Sequence, residues 1–352
     1  MTADKRLEDL LAVVIAQNGS DLHITAGHPP VIRVAGSLIP LTQYTPFDAE
    51  TTETILKSIV APDRWSTFEA NQAIDLSYAY QGTRFRVNGY RAQGAVSLAL
   101  RLIQEDVRTF KELNLPDILE TFTQRAQGFF LVVGPVGHGK STTLAAMINQ
   151  INKDVAKHIV TIEDPVEYLF KPQKSIVHQR EVYVDTPSFG AALQSTFRED
   201  VDVIMVGEMR DYETISSAVT AAETGHLVFS TLHTNNAAQT IDRIIDMFPA
   251  EQQGQVRVQL AGSLAGIFSQ RLLPRVSGGL IPAYELLINN NAISTLIRDG
   301  QTHEIGTVIQ TSSQEGMIDM DRMLADLVRR GEVTVEHAYA HALDPKSFQH
   351  YL

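Results

Sequence analysis

A chain of 352 residues with 44% hydrophobic content is long enough to bury a substantial core and predicts two domains. A formal charge of −12 argues against general nucleic-acid affinity, so no direct nucleic-acid partner is expected, and the absence of cysteine excludes disulfides, thiolate zinc clusters and cysteine nucleophiles. No segment approaches the roughly 18 apolar residues that span a bilayer, and the start Met1-Thr2-Ala3-Asp4-Lys5-Arg6 lacks a signal-peptide profile, so a cytoplasmic protein that meets membranes only through partners is expected.

Residues 7–17 place apolar side chains at helical spacing, and Asn18-Gly19 supplies a stop. Asp21–Thr25 and Val31–Gly36, separated by Gly27-His28-Pro29-Pro30, read as paired strands. After a helical stretch at 51–59, β patterns return at 73–78, 83–91 and 96–103, which makes this first module α+β. Arg84 and Arg86 stand two apart on one strand and leave the same face, with Phe85 and Val87 on the other. A guanidinium pair on one face suits phosphate; the competing reading is a solvated strand face. Arg101 on the next strand is a third candidate cation.

The first domain is expected over 1–104, a linker over 105–116 ending at Pro116, and a second domain over 117–352 with a helical region from about 290. Within the second, the apolar run Phe129–Val133 leads into Gly134-Pro135-Val136-Gly137-His138-Gly139-Lys140-Ser141-Thr142. The spacing of Gly134, Gly139, Lys140 and Ser141 fits the P-loop, whose backbone N–H groups wrap phosphates at a helix N-terminus. The glycines permit close backbone approach, Lys140 can bring charge to the β/γ-phosphates, and the Ser141 hydroxyl can ligate Mg²⁺. ATP and Mg²⁺ are the expected ligands.

His158–Pro165 is an apolar strand ending in the carboxylates Glu163 and Asp164, and Asp202–Asp211 repeats the form with Glu208. Open α/β sheets place catalytic groups at such ends. One carboxylate there can hold Mg²⁺ and another can orient the attacking water; strand-end solvation is the plain alternative. A helix at 212–223 leads to a strand bracketed by His226 and His233, candidate phosphate sensors or merely structural histidines. Zinc is poorly supported, since no close His/Cys set accompanies them. Residues 254–269 read as a helix of small and apolar residues, 280–288 as a strand, and 292–298, 320–330 and 335–343 as helices.

With these segments in order, the sequence resembles the type IV pilus retraction ATPases, the PilT/PilU branch of the secretion ATPase superfamily, over nearly its whole length. Beyond the P-loop, Ile162–Glu167 matches that superfamily's acidic box, Val206–Asp211 its Walker B and Ala222–Thr234 its histidine box. Ser20–His23, Arg84–Asn88 and Leu296–Ile305 point to the retraction branch, as do the missing N-terminal extension and four-cysteine zinc insertion of assembly ATPases. The resemblance implies a RecA-like P-loop ATPase core with a smaller PAS-like N-terminal domain. It further implies a homohexamer that hydrolyses ATP and pulls on a pilus inner-membrane platform protein at the inner-membrane base, with a paralogous motor ATPase as a further partner. Lys140 and the loop amides would hold phosphate, Ser141 and Glu208 Mg²⁺, and Glu163 the water. Arg84, Arg86 and Arg101 would supply mobile cations, and His226 and His233 would report phosphate occupancy. Three departures stand out: His138 where the family has serine, Val201 where it has proline, and Ser294-Thr295 where it has Arg-Asn. The alternatives are a diverged PilU-like accessory subunit, a type II secretion or DNA-uptake ATPase, and a nucleotide-binding structural subunit that cleaves nothing.

Overall fold

The computed structural model describes residues 3–34, 36–103 and 106–352. Ala35 of the second predicted strand, Gln104 and Glu105 where the first domain gives way to the linker, and Met1-Thr2 of the start lie outside the described residues. The chain divides into two compact units, Met1–Asp106 with Pro165–Leu169, and Val107–Asp164 with Phe170–Leu352.

In the first unit, strands β1 (Asp21–Thr25), β2 (Val31–Val34), β3 (Ser37–Pro40), β4 (Ala73–Tyr80), β5 (Thr83–Ala92) and β6 (Ala95–Ile103) form an antiparallel sheet in the order β3-β2-β1-β6-β5-β4. β3 was not anticipated, because its four residues are exposed throughout and carry no alternation. The helices Ala3–Ala16 and Ala49–Ile59 contribute Leu7, Leu10, Leu11, Val14, Ile55 and Leu56 to one apolar core with Phe85 and Val87. Asp48 starts the second helix by accepting the Thr51 N–H. That helix packs on β5 at a glycine: a Cβ at position 89 would lie 2.5 Å from Leu56 Cδ1 and would make that side chain shift. The alternation that buries Phe85, Val87 and Gly89 puts Arg84 and Arg86 on the opposite face.

The second unit is built on β7 (Gly128–Val133), β8 (His158–Glu163), β9 (Ile176–Glu181), β10 (Val203–Val206), β11 (Leu227–Leu232), β12 (Leu264–Pro274) and β13 (Leu280–Ile288), in the order β13-β12-β7-β11-β10-β8-β9. All neighbours are parallel except β12 and β13. β7, β10 and β11 are buried at every residue, which is why they read as continuous apolar runs. The helix expected over 254–269 is divided: it runs Ala250–Ser263, and Leu264 opens β12. Periodicity could not separate the two because small and apolar residues suit either. Gly266 marks the strand, since a Cβ would come within 2.8 Å of the Leu287 carbonyl on β13. The polar edge strand β9 was also missed. The C-terminal helices span Asn291–Asp299, Met320–Arg329 and Val335–Tyr339, the last ending four residues early, and Ile305–Thr311 and Pro345–Tyr351 are additional. Among the described residues no helix is long and apolar enough to cross a membrane.

One carboxylate in this core has an electrostatic cost. Glu285 on β13 is buried; its Oε1 accepts from the Ala237 N–H at 2.7 Å and the Ser269 hydroxyl at 3.4 Å. Burial, with smaller contributions from Asp319 and Asp321, pushes it up to about 7 against the hydrogen bonds that pull it down. A carboxyl whose folded value lies above its unfolded one favours folding below the unfolded value and loses that advantage as pH rises toward 7. Stability should therefore fall by on the order of 3 kcal/mol between about pH 4.5 and 7 from this group alone. Glu285→Gln should flatten that slope in urea titrations run across the interval.

Candidate functional site

Four adjacent strands, β7, β11, β10 and β8, end on the same side of the sheet, and each delivers one group there. After β7 the chain turns through Gly134, Gly137 and Gly139, with φ of +146°, +79° and +81°, and enters the helix Lys140–Asp154. At Gly134 the requirement is doubled, because a Cβ would collide with the Gln270 carbonyl oxygen. Pro135, His138 and Thr142 are half-buried, and Val136 and Ser141 are exposed. Lys140 is buried; its Nζ donates to the carbonyls of Gly134 and Pro135, both at 2.9 Å, and lies 3.3 Å from His233 Nδ1.

His233, the first residue after β11, bridges cation and anion: its Nε2 is 3.7 Å from Glu208, which follows β10. An ammonium has no acceptor, so Nδ1 takes the lone-pair role toward Lys140 and Nε2 carries the proton toward Glu208. Burial and the Lys140 charge lower the imidazole's affinity for a second proton, outweighing the opposite pull of Glu208. His233 is thus a neutral ring between the loop lysine and Glu208. The other oxygen of Glu208 pairs with Arg210. Glu163, the last residue of β8, is buried and accepts from the Thr161 hydroxyl at 2.6 Å and from the Gln179 amide at 3.2 Å. Gln179 is itself fixed, its Oε1 accepting from the Phe170 N–H at 2.9 Å.

His226 does not join this cluster. It precedes β11, so a six-residue strand, about 20 Å at 3.3 Å per residue, separates it from His233. There it donates from Nδ1 to the Ala221 carbonyl at 3.0 Å and meets the Phe197 ring edge-on, closing the end of the helix Tyr212–Glu223. The arginines lie in the first unit. Arg86 and Arg101 stand directly opposite each other on β5 and β6, and Arg84 opposes Ile103. Like charges so placed repel, and carboxylates offset this: Arg101 bonds Asp21 at 2.8 Å, and Arg86 lies 3.8 Å from Asp75 and 3.6 Å from Glu167. Arg84 donates to Ser77 at 2.7 Å. Burial pushes Asp21 up, but the bonds from Arg101 and Ser20 prevail and hold it below the ordinary carboxylate range.

Sequence reading passed over Thr143, Gln179 and Gln270. Thr143 donates to Gln270 Oε1 at 2.6 Å, and Gln270 Nε2 donates to the His138 carbonyl at 2.9 Å. The polar trio Ser269-Gln270-Arg271, set between apolar residues of β12, was the available signal. His138 acts through its side chain as well as its backbone, Nδ1 accepting the Leu272 N–H at 2.9 Å. Burial, together with His341, Arg271 and Lys140, keeps this ring from protonating. No group of three or more His, Asp or Glu side chains suited to a metal exists among the described residues. A cation here would therefore rely on the Ser141 hydroxyl, Glu208 and the phosphates themselves, which is how a P-loop holds Mg²⁺.

A glycine cradle leading into a helix, with carboxylates at the ends of neighbouring parallel strands, defines a P-loop ATPase of RecA-like fold. More narrowly, the chain belongs to the type II/IV secretion system protein family, whose model matches residues 4–322. It is 42% identical to the type IV pilus retraction ATPase PilT of Pseudomonas aeruginosa, over 97% of this chain and 99% of that protein. It is also 42% identical to the type IV pilus ATPase PilU of the same organism, over 95% of this chain and 88% of PilU. A solved structure of the pilus retraction motor PilT with bound ADP matches with a TM-score of 0.90 and 44% identity, covering 97% of this chain and 98% of that one.

Gly134→Ala should destabilise the second unit by about 2 kcal/mol or more, through strain at positive φ and the clash with Gln270. Thermal unfolding compared with the exposed, uncrowded control Gly137→Ala measures the clash component.

Proposed function

We propose that this protein is a homohexameric ATPase motor that powers type IV pilus retraction from the cytoplasmic face of the inner membrane, working on a platform protein of the pilus machine. The observation that carries the chemistry is the contiguous series Lys140, His233 and Glu208, with spacings of 3.3 and 3.7 Å, beside the buried Glu163. Full-length identity to PilT supports the biological setting. Lys140 and the loop amides bind the phosphates of ATP, and the helix Lys140–Asp154 adds its positive end. Ser141 and Glu208 would hold Mg²⁺, which would neutralise phosphate charge. Glu163, oriented by Thr161 and Gln179, takes a proton from the attacking water.

His233 relays between Lys140 and Glu208, so a change in the lysine's partner alters the field at Glu208. Arg84, Arg86 and Arg101 are the cations we assign to the transferring phosphate, in a reaction gated by movement of the N-terminal domain; such cations contribute roughly 10³ to 10⁵ in rate elsewhere. His226, held at the far end of β11, is assigned to communication between sites rather than to phosphate contact.

Phosphate release by the purified hexamer tests this. Lys140→Ala should lose nucleotide-dependent activity, and Glu163→Gln and Glu208→Gln should each retain ATP binding with turnover reduced about a hundredfold or more. Undiminished turnover in Glu208→Gln removes its assignment. The triple alanine variant of Arg84, Arg86 and Arg101 should lose at least about a hundredfold; unchanged activity returns these residues to a solvated sheet face. A deletion strain should carry excess, non-retracting pili, whereas loss of pili would indicate assembly.

A further inference from the structure

β12 is longer than the strand beside it. Its pairing with β7 ends at Ser269 opposite Val133, while β12 continues to Pro274, paired on its other side with β13. Residues 270–272 therefore run on beside the phosphate loop, with no strand to accept their hydrogen bonds on that side. The loop does so instead. The Leu272 N–H donates to His138 Nδ1, the Gln270 side chain donates to the His138 carbonyl and accepts from Thr143, and the Gln270 carbonyl oxygen abuts Gly134. A Cβ at Gly139 would come within 2.9 Å of Gln270 Nε2. Gln270 is 3% exposed, and both ends of its amide are bonded.

We propose that this overhang of β12 is the positioning element of the phosphate loop, with Gln270 as its central residue. In a planar trans peptide the C=O and the following N–H point in opposite directions. Tying the His138 carbonyl to Gln270 therefore turns the Gly139 N–H away from β12, toward the space the loop encloses. Gln270 thus fixes the direction of an anion-binding dipole without touching the anion. The amide donates to the carbonyl and accepts from Thr143 at once; an ionised carboxylate sets oxygen against oxygen, and a hydrocarbon orphans both partners. His138 is the second arm. Its neighbours Arg271 and His341 are linked, Arg271 donating to the His341 carbonyl at 3.0 Å, so the clamp is continuous with the segment after the helix Val335–Tyr339.

The inference rests on the reading that the loop binds nucleotide, and wild-type protein separates the two. Equilibrium binding of a fluorescent ATP analogue and steady-state phosphate release are measured on the full chain. Gln270→Glu should weaken binding at least about tenfold and raise KM in proportion, with kcat changed less than about threefold, because ground and transition states lose the same preorganised amide. Relative to wild type, its binding should recover at low pH, where the protonated carboxyl can again donate to the His138 carbonyl; a merely structural role predicts no such recovery. His138→Ala, which leaves the Gln270 bond intact, should weaken binding about threefold, and it decides the matter if Gln270→Glu fails to assemble. Wild-type affinity in folded Gln270→Glu at all pH values, or in His138→Ala where the first variant does not assemble, overturns the proposal. Failure of wild type to bind the analogue instead removes the nucleotide reading beneath it.

Discussion

An anion site made from main-chain amides must hold its peptides in an orientation that their own sequence does not enforce. Gly134, Gly137 and Gly139 give the loop its shape at the cost of stiffness, since glycine restricts the chain least. Rigidity has to come from outside the loop. β7 supplies it at one end, buried at all six residues between β11 and β12, and the helix Lys140–Asp154 at the other. Between them the loop is braced laterally by β12. Parallel pairing in register then places His233, Glu208 and Glu163 at the ends of successive strands, so one sheet edge sets the relative positions of the whole constellation.

The electrostatics of that edge depend on burial as much as on charge. Lys140 keeps its ammonium in a buried place by donating to two carbonyls, and a second cation beside it would be unfavourable. His233 meets this condition by staying neutral, so the series Lys140, His233, Glu208 carries one positive and one negative end with a polarisable ring between. Glu163 is held differently, accepting from the Thr161 hydroxyl and the Gln179 amide. The two glutamates therefore occupy distinct environments, the usual basis for distinct chemical roles. In the first unit the same logic is relaxed: Arg86 and Arg101 face each other across β5 and β6 on a solvated face, with Asp75, Glu167 and Asp21 as partners.

Much of this was readable from residue pattern alone. Strands buried on both faces announce themselves as apolar runs, so β7, β8, β10 and β11 and the acids after them could be placed, and the helix at 212–223 ends where expected. The failures have physical causes. His226 and His233 flank one strand and look equivalent in sequence, yet a strand puts its two ends at opposite edges of the sheet. β9 sits at the sheet edge with a polar composition that gives no alternation to detect. β12 was merged into the preceding helix because the stretch around Ser263 suits both conformations, and with it the role of Gln270 was lost. Side-chain amides that act on backbone carry no spacing signature; only the fold brings them to their partners.

Glu285 has a thermodynamic corollary for a working motor. Its raised affinity for protons exists because water is kept away, and its contact with Ala237 lies where the helix Ala237–Asp246 begins, four residues after His233. Any step of the working cycle that hydrated this carboxyl would return it toward ordinary acidity and discharge a proton to the medium. Such a step would have a heat that varies with the ionisation enthalpy of the buffer, so calorimetry could tell a stroke that opens this core from one that moves rigid pieces past one another.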